Sequence, residues 1–214
     1  MGIVAPLSIL LPVCMFLYKR KHTDRSTTII FYYLIAAGLI NATAIILARN
    51  GIRNLPLLHL YTVVETVFFL SYFRTIFDSA RMKKALIFVM IAFAICCIIN
   101  LMFIQSIFTF NTHTRPLEAL IITGTCLLYF FKSGFSENWL NSPINWINMG
   151  VLIYFPAASI IFILSNYFTF VKLNDEMTSV VWNMHACLVI GMYLMFTKAF
   201  FCLKSQREII EDLY

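Results

Sequence analysis

The sequence predicts an all-α polytopic membrane protein, a bundle of seven transmembrane helices with its amino terminus outside and its carboxyl terminus in the cytoplasm. Three observations predict it. First, 61% of the 214 residues are hydrophobic and only 12% are charged, where a soluble domain carries about 25% charge. Mean hydropathy is +0.83. Too few solvating groups remain to cover a water-facing surface, so the apolar excess must face lipid. Second, seven apolar segments follow one another, near residues 2–18, 28–48, 55–77, 85–105, 116–132, 144–166 and 178–203, most of them long enough for a hydrocarbon core of about 30 Å. Most are apolar on all faces, which a soluble amphipathic helix is not. Third, the basic residues sit at the ends of these segments. Lys19, Arg20, Lys21, Arg25, Arg74, Arg81, Lys83, Lys84, Lys132, Lys198, Lys204 and Arg207 fall on one side, and Arg49, Arg53, Arg115 and Lys172 on the other. Twelve against four puts the richer side in the cytoplasm. The formal net charge of +6 is then a topological signal, and no nucleic-acid partner is expected.

Segment one, MGIVAPLSILLPVCMFLYKRK, places its positive charges after the apolar run. A cleaved signal peptide has the reverse order, and Pro6 stands where a myristoylation signal needs Ser or Thr. It reads as a retained membrane helix, short enough to stand upright or thin the bilayer, as does segment five. Segment two carries Asn41 and Thr43 in its outer half. Segment three, LPLLHLYTVVETVFFLSYFRTIF, opens with Pro56, holds Glu65 near its middle and ends on Arg74. An acid at that depth is costly and marks a functional site by default. Segment four ends near Asn100, segment five begins with Glu118, segment six ends on Ser165 and Asn166, and segment seven begins with Trp182, Asn183 and His185. Every odd-numbered segment closes on aromatic and basic residues (FLYKRK, SYFRTIF, LYFFKSGF, FTKAFF), the pattern of an inner interface with snorkelling bases. Segments three and five both start near a proline, carry one glutamate and end on aromatics plus a base; their spacings differ, so we read shared membrane patterning there. The connections are short, the longest running from about Gln105 to Arg115. The expected organisation is one transmembrane domain over 1–204 and a cytoplasmic tail over 205–214. KSQREIIEDLY, from Lys204 on, makes about three helical turns, too few for a catalytic domain.

The six cysteines lie inside apolar runs without a C-x-x-C pair and read as small buried hydrophobes. No G-x-S-x-G, H-E-x-x-H, P-loop or EF-hand pattern is present. His59, Glu65, Glu118 and His185 could supply four metal ligands, but no two stand at ligand-pair spacing, so neither a metal nor another cofactor is expected. A retinal pigment needs a lysine deep in segment seven; Lys198 is the one candidate and lies near the cytoplasmic edge.

Polar residues therefore concentrate in the outer halves. The inner halves are poorer and hold Ser71, Tyr72, Tyr129 and Tyr193, with Asn145 and Asn148 at the inner mouth. Polar atoms in hydrocarbon need partners, so the outer groups should converge on a cavity closed below by aromatic packing. Tyr61 and Glu65 are spaced i,i+4, and Trp182 and His185 i,i+3, each pair on one helix face. A carboxylate as deep as Glu65 calls for a compensating cation, and His59, His185 or an external cation are the candidates. Plainer roles stay open. Glu65 could be a protonated carboxyl bonded to a neighbouring helix, Glu118 a helix-start acid, His59 a solvated loop-edge residue, and Asn41, Asn100 and Asn183 interhelical hydrogen-bond partners.

HLYTVVE, RPLEALI, LIYFPAASIIFILSNYF and VWNMHACLVIGMYLMF together resemble small bacterial seven-helix membrane proteins encoded beside, or fused in front of, sensor histidine kinases. The resemblance implies a sensory or accessory role in the bacterial inner membrane, with Glu65, Glu118, Asn183 and His185 on the matching positions. The sequence thus leads to a sensor or receptor-like module. A small ligand or a proton would enter an outward pocket lined by His59, Tyr61, Glu65, Glu118, Asn183 and His185. Residues 204–214 would pass the signal to a cytoplasmic partner such as a histidine kinase. Competing expectations are a transporter coupled to protons through Glu65, a metal-dependent intramembrane hydrolase using Glu65 and His185, and a purely structural subunit.

Overall fold

The computed structural model describes residues 4–134, 139–171 and 175–203. Among them it is all-helical, without a strand. In order come α1 (Val4–Ser8), α2 (Leu10–Tyr18), α3 (Arg25–Arg49), α4 (Leu55–Ile76), α5 (Ala80–Phe103), α6 (Thr114–Ser133), α7 (Pro143–Asn166) and α8 (Asp175–Phe201). Helices α3, α4, α5, α7 and α8 are long and apolar enough to cross a membrane. The stretch Val4–Tyr18 is shorter, and α6 is diluted by Arg115, Glu118 and Lys132.

Among the described residues each of the seven apolar segments is helical, with local departures that have physical causes. Segment one breaks between Ser8 and Leu10. Pro12 has no N–H to give the Ser8 carbonyl four residues back, and its ring crowds that carbonyl. Helix α3 starts three residues earlier than its apolar run. Asp24 caps it, accepting from the Thr27 amide at 2.9 Å while the Asp24 amide donates to Thr27 Oγ1 at 3.2 Å, a reciprocal capping box. Gly51, at φ 70°, closes α3; the Ile52 amide reaches back to the Leu47 carbonyl at 2.9 Å and Gly51 to Ala48 at 3.1 Å, the two bonds of a Schellman turn. Helix α5 begins five residues before the apolar run, since Arg81, Lys83 and Lys84 end the hydropathy without ending the helix.

Neighbours run in chain order around a closed bundle. Helix α2 packs on α3 and α8, α3 on α4, α4 on α5, α5 on α6, α6 on α7 and α7 on α8; α4 also meets α6, and α3 touches α7. Helices α4 and α7 are thereby the most enclosed, and the core between them is aromatic. Phe69 meets Phe155 edge-on at 5.0 Å, and Phe73, Phe196, Leu70, Ile122, Ile147 and Val151 are buried around the pair. Cys97 and Cys126 are buried as expected of small hydrophobes, whereas Cys14, Cys96 and Cys187 are exposed and Cys202 is half-buried. The outer faces of these helices are apolar too, so a small thiol fits there as well as inside.

Candidate functional site

The site is built on Arg115, which the sequence reading counts among the outer loop bases. The structure corrects that placement. Helix α6 starts at Thr114, two residues before its apolar run, so Arg115 lies in the first turn. Its residue exposure is 2%. A cation so enclosed needs anionic partners, and it has two. Its Nη1 donates to Glu65 of α4 and, at 2.5 Å, to Glu118 one turn along α6. The compensating cation for Glu65 is thus Arg115, and neither His59 nor His185 supplies it.

Around this core hydrogen bonds lead on to other helices. Glu65 Oε1 accepts from Tyr33 of α3 at 2.5 Å and from Tyr61 at 2.9 Å, and the two hydroxyls are themselves 2.9 Å apart. Glu118 Oε1 accepts from Thr66 of α4 at 3.0 Å. Arg115 Nη2 donates to Tyr154 of α7 at 2.9 Å, which leaves the tyrosine proton for His185 Nε2 of α8 at 3.2 Å. One guanidinium therefore ties together α3, α4, α6, α7 and α8. The rings of Phe162, Tyr61, Phe155 and Tyr154 surround it at 5.1, 5.5, 5.9 and 6.0 Å, adding cation–π attraction in a desolvated setting.

The loop before α6 holds Arg115 in place. Asn111 Oδ1 accepts from the Thr114 amide at 3.1 Å and its Nδ2 donates to Thr62 of α4 at 3.0 Å. Asn166 of α7 brackets Phe110, accepting from its amide and donating to its carbonyl at 3.0 Å each. Gln105 donates to the Phe110 carbonyl at 2.7 Å, and Asn100 donates to Gln105 at 3.3 Å. These side chains replace the backbone partners that a loop lacks.

Above the guanidinium lies a cavity of about 570 Å³. Arg115, Tyr61, Tyr154 and His185 form its polar floor, and Asn41, Asn183, Thr178, Ser179 and Trp182 rise around it, closed at one side by Ala5 and Pro6 of α1. Of the six residues expected to line one pocket, Tyr61, Asn183 and His185 do so. Glu65 and Glu118 lie behind Arg115, touching it and not the cavity. His59 is buried on the loop side, its Nε2 3.1 Å from the Thr109 carbonyl. Tyr193, assigned by depth to the inner half, reaches the cavity. Below, the aromatic core separates this floor from a second polar pair, where Tyr72 donates to Asn148 at 3.0 Å.

Sequence reasoning missed Arg115, Tyr33, Tyr154 and Asn111. The usable signal for Arg115 is its i,i+3 spacing to Glu118 within RPLE, which pairs base and acid on one helix face. Tyr33 and Tyr154 carry no comparable signal, because a tyrosine in an apolar helix is indistinguishable from packing. Among the described residues no three His, Cys, Asp or Glu side chains group to hold a metal ion. Compared with protein-family models, curated proteins and solved structures, the chain has no match.

Proposed function

We propose that the chain is a seven-span membrane receptor or sensor module, amino terminus outside, that reads the occupancy of the cavity over Arg115. The single observation behind this reading is the convergence of five helices on one guanidinium that forms the floor of a cavity. A ligand that touches Arg115 shifts its hydrogen bonds to Glu65, Glu118 and Tyr154, and so biases how α3, α4, α6, α7 and α8 pack. Binding energy reaches helix packing only through such differential contacts. With Arg115 removed from the outer loops, the orientation tally becomes twelve bases against three, which strengthens the cytoplasmic assignment of the richer side. Residues 204–214, the segment proposed to carry the signal to a kinase-like partner, lie outside the described residues.

Trp182 supplies the test. It lines the cavity and its ring is 5.6 Å from that of His185. In a W139F/W146F background its fluorescence reports this site alone. Among small molecules selected by thermal stabilisation of the purified protein, those binding here change that fluorescence, and N183A or H185A weakens them about tenfold or more, the loss of one or two hydrogen bonds. Stabilising compounds that leave Trp182 unchanged and bind both variants with full affinity would remove the reading.

One observation favours a second reading, a proton-coupled transporter. Two carboxylates against one guanidinium leave one surplus negative charge when all three are ionised, which a transported proton would neutralise. The aromatic core beneath the cluster opposes it, since a path needs polar groups on both halves. Proton flux in proteoliposomes under a pH gradient, abolished by E65Q, would establish transport; no flux leaves the receptor reading.

A further inference from the structure

A second cavity, of about 700 Å³, opens at the opposite ends of the helices and shares no lining residue with the first. Its lining brings together three bases that the sequence spreads over 59 positions, Arg25, Arg74 and Lys83. Arg25 is the first residue of α3, Arg74 lies in the last turn of α4 and Lys83 in the first turn of α5. Among the described residues the only ion pairs are those of Arg115, so none of the three bases is held in an ion pair there. The one acid in the lining, Asp24, is committed to its own helix. It accepts from Ser26 Oγ at 2.6 Å and from the Thr27 amide at 2.9 Å, as well as from the Thr27 hydroxyl. Three bases against one acid leave the cavity two positive charges in excess. Ser71 adds a hydroxyl whose one acceptor among the described residues is the weak one of Met90 Sδ at 3.8 Å. The rest of the lining is Ser26 and Thr75, whose hydroxyls donate to Asp24 and to the Tyr72 carbonyl, and the apolar Ile29, Ile76 and Ile144.

We infer that this cavity is a binding site for a phosphate group. Two guanidiniums, an ammonium and a weakly held hydroxyl offer more donors than the two oxygens of a carboxylate can accept, and the planar guanidinium fork matches phosphate oxygens. Two sources share this chemistry, the headgroup of an anionic phospholipid and a soluble phosphate ester. The isoleucine wall and the position at the ends of membrane-length helices suit the lipid, whose phosphate sits at headgroup depth beside its acyl chains. The site couples to the fold directly, because an anion held between Arg25, Arg74 and Lys83 links the ends of α3, α4 and α5.

The full chain in phosphatidylcholine nanodiscs, with and without phosphatidylglycerol, tests this by thermal unfolding and by native mass spectrometry of retained lipid. Retention of phosphatidylglycerol is expected to fall by about fivefold for each base removed, in K83Q and further in R74Q/K83Q. Removing two bases at the other end, in R49Q/R53Q, should leave retention unchanged, and unfolding in pure phosphatidylcholine shows that each variant is folded. Should millimolar inorganic phosphate raise the melting temperature of wild type and not of R74Q/K83Q, the site stands with a soluble ligand as its source. Equal lipid retention in wild type and R74Q/K83Q without any phosphate effect, or an equal loss in R74Q/K83Q and R49Q/R53Q, overturns it.

Discussion

Arg115 decides most of what happens at the site. Its two acids come from different elements, Glu118 from its own helix and Glu65 from α4, and both are fully buried. Removing the base strands two buried carboxylates without a counter-charge. Breaking one side of such a buried pair costs about 3–5 kcal/mol, so Arg115→Met should lower the melting temperature in detergent sharply. Removing all the charges is a different experiment. The triple variant R115M/E65Q/E118Q should recover most of the lost stability, because no unpaired charge remains. A triple variant as unstable as R115M would mean that Arg115 acts through its packing against Tyr61, Phe155 and Phe162 and not through its charge.

At the scale of single elements, two helices show what local chemistry contributes. Asp24 caps α3. Its own burial raises its pKa, but the hydrogen bonds from Ser26 and Thr27 outweigh that and hold the carboxyl below its ordinary value. A carboxyl lowered on folding adds stability above its unfolded pKa of about 3.9 and loses it as pH falls through the lowered value. Asp24→Ala should cost about 1 kcal/mol at neutral pH, and melting curves of wild type and variant should converge as pH drops below about 4. On α7, Gly150 lets α8 approach. A Cβ there would stand 3.1 Å from the Phe196 ring and 3.2 Å from Met195 Cβ, the small-residue contact by which membrane helices pack closely. Gly150→Val should cost about 1–3 kcal/mol through overpacking. Gly191 of α8 has nothing within 4 Å, and Gly191→Ala should gain about 0.5–1 kcal/mol of helix propensity. Thermal unfolding of the two variants separates interface from propensity.

For the whole molecule the expectation concerns sidedness. In a cysteine-free background, a cysteine at Arg53, between α3 and α4, should react with an impermeant maleimide on intact cells. One at Asp78, between α4 and α5, should react only after permeabilisation. The reverse pattern would turn the cavity over Arg115 to the cytoplasm and end the reading of it as an outward pocket. The two sites sit at opposite ends of the bundle, one acidic-aromatic around a single guanidinium and one basic. The aromatic core of Phe69, Phe155 and Phe196 between them makes any exchange between the two ends a matter of helix packing and not of a water path.

Much of this architecture was legible in the residues alone. Hydropathy located the long α-helices, because the backbone must satisfy its own hydrogen bonds wherever water is excluded. Depth marked Glu65, Asn183 and His185 as unusual, because a polar group in an apolar run needs a partner. The partner itself belonged to tertiary structure. The guanidinium of Arg115 reaches Glu65 across fifty positions, and the choice between a solvated loop base and a buried cation rests on where α6 begins against α4. Tyr33 and Tyr154 became ligands of the cluster only through the order in which the helices close, which periodicity within one helix does not encode. Sequence determined which groups had to be satisfied, and packing decided by whom, since burial fixes the demand for a counter-charge while only geometry can meet it.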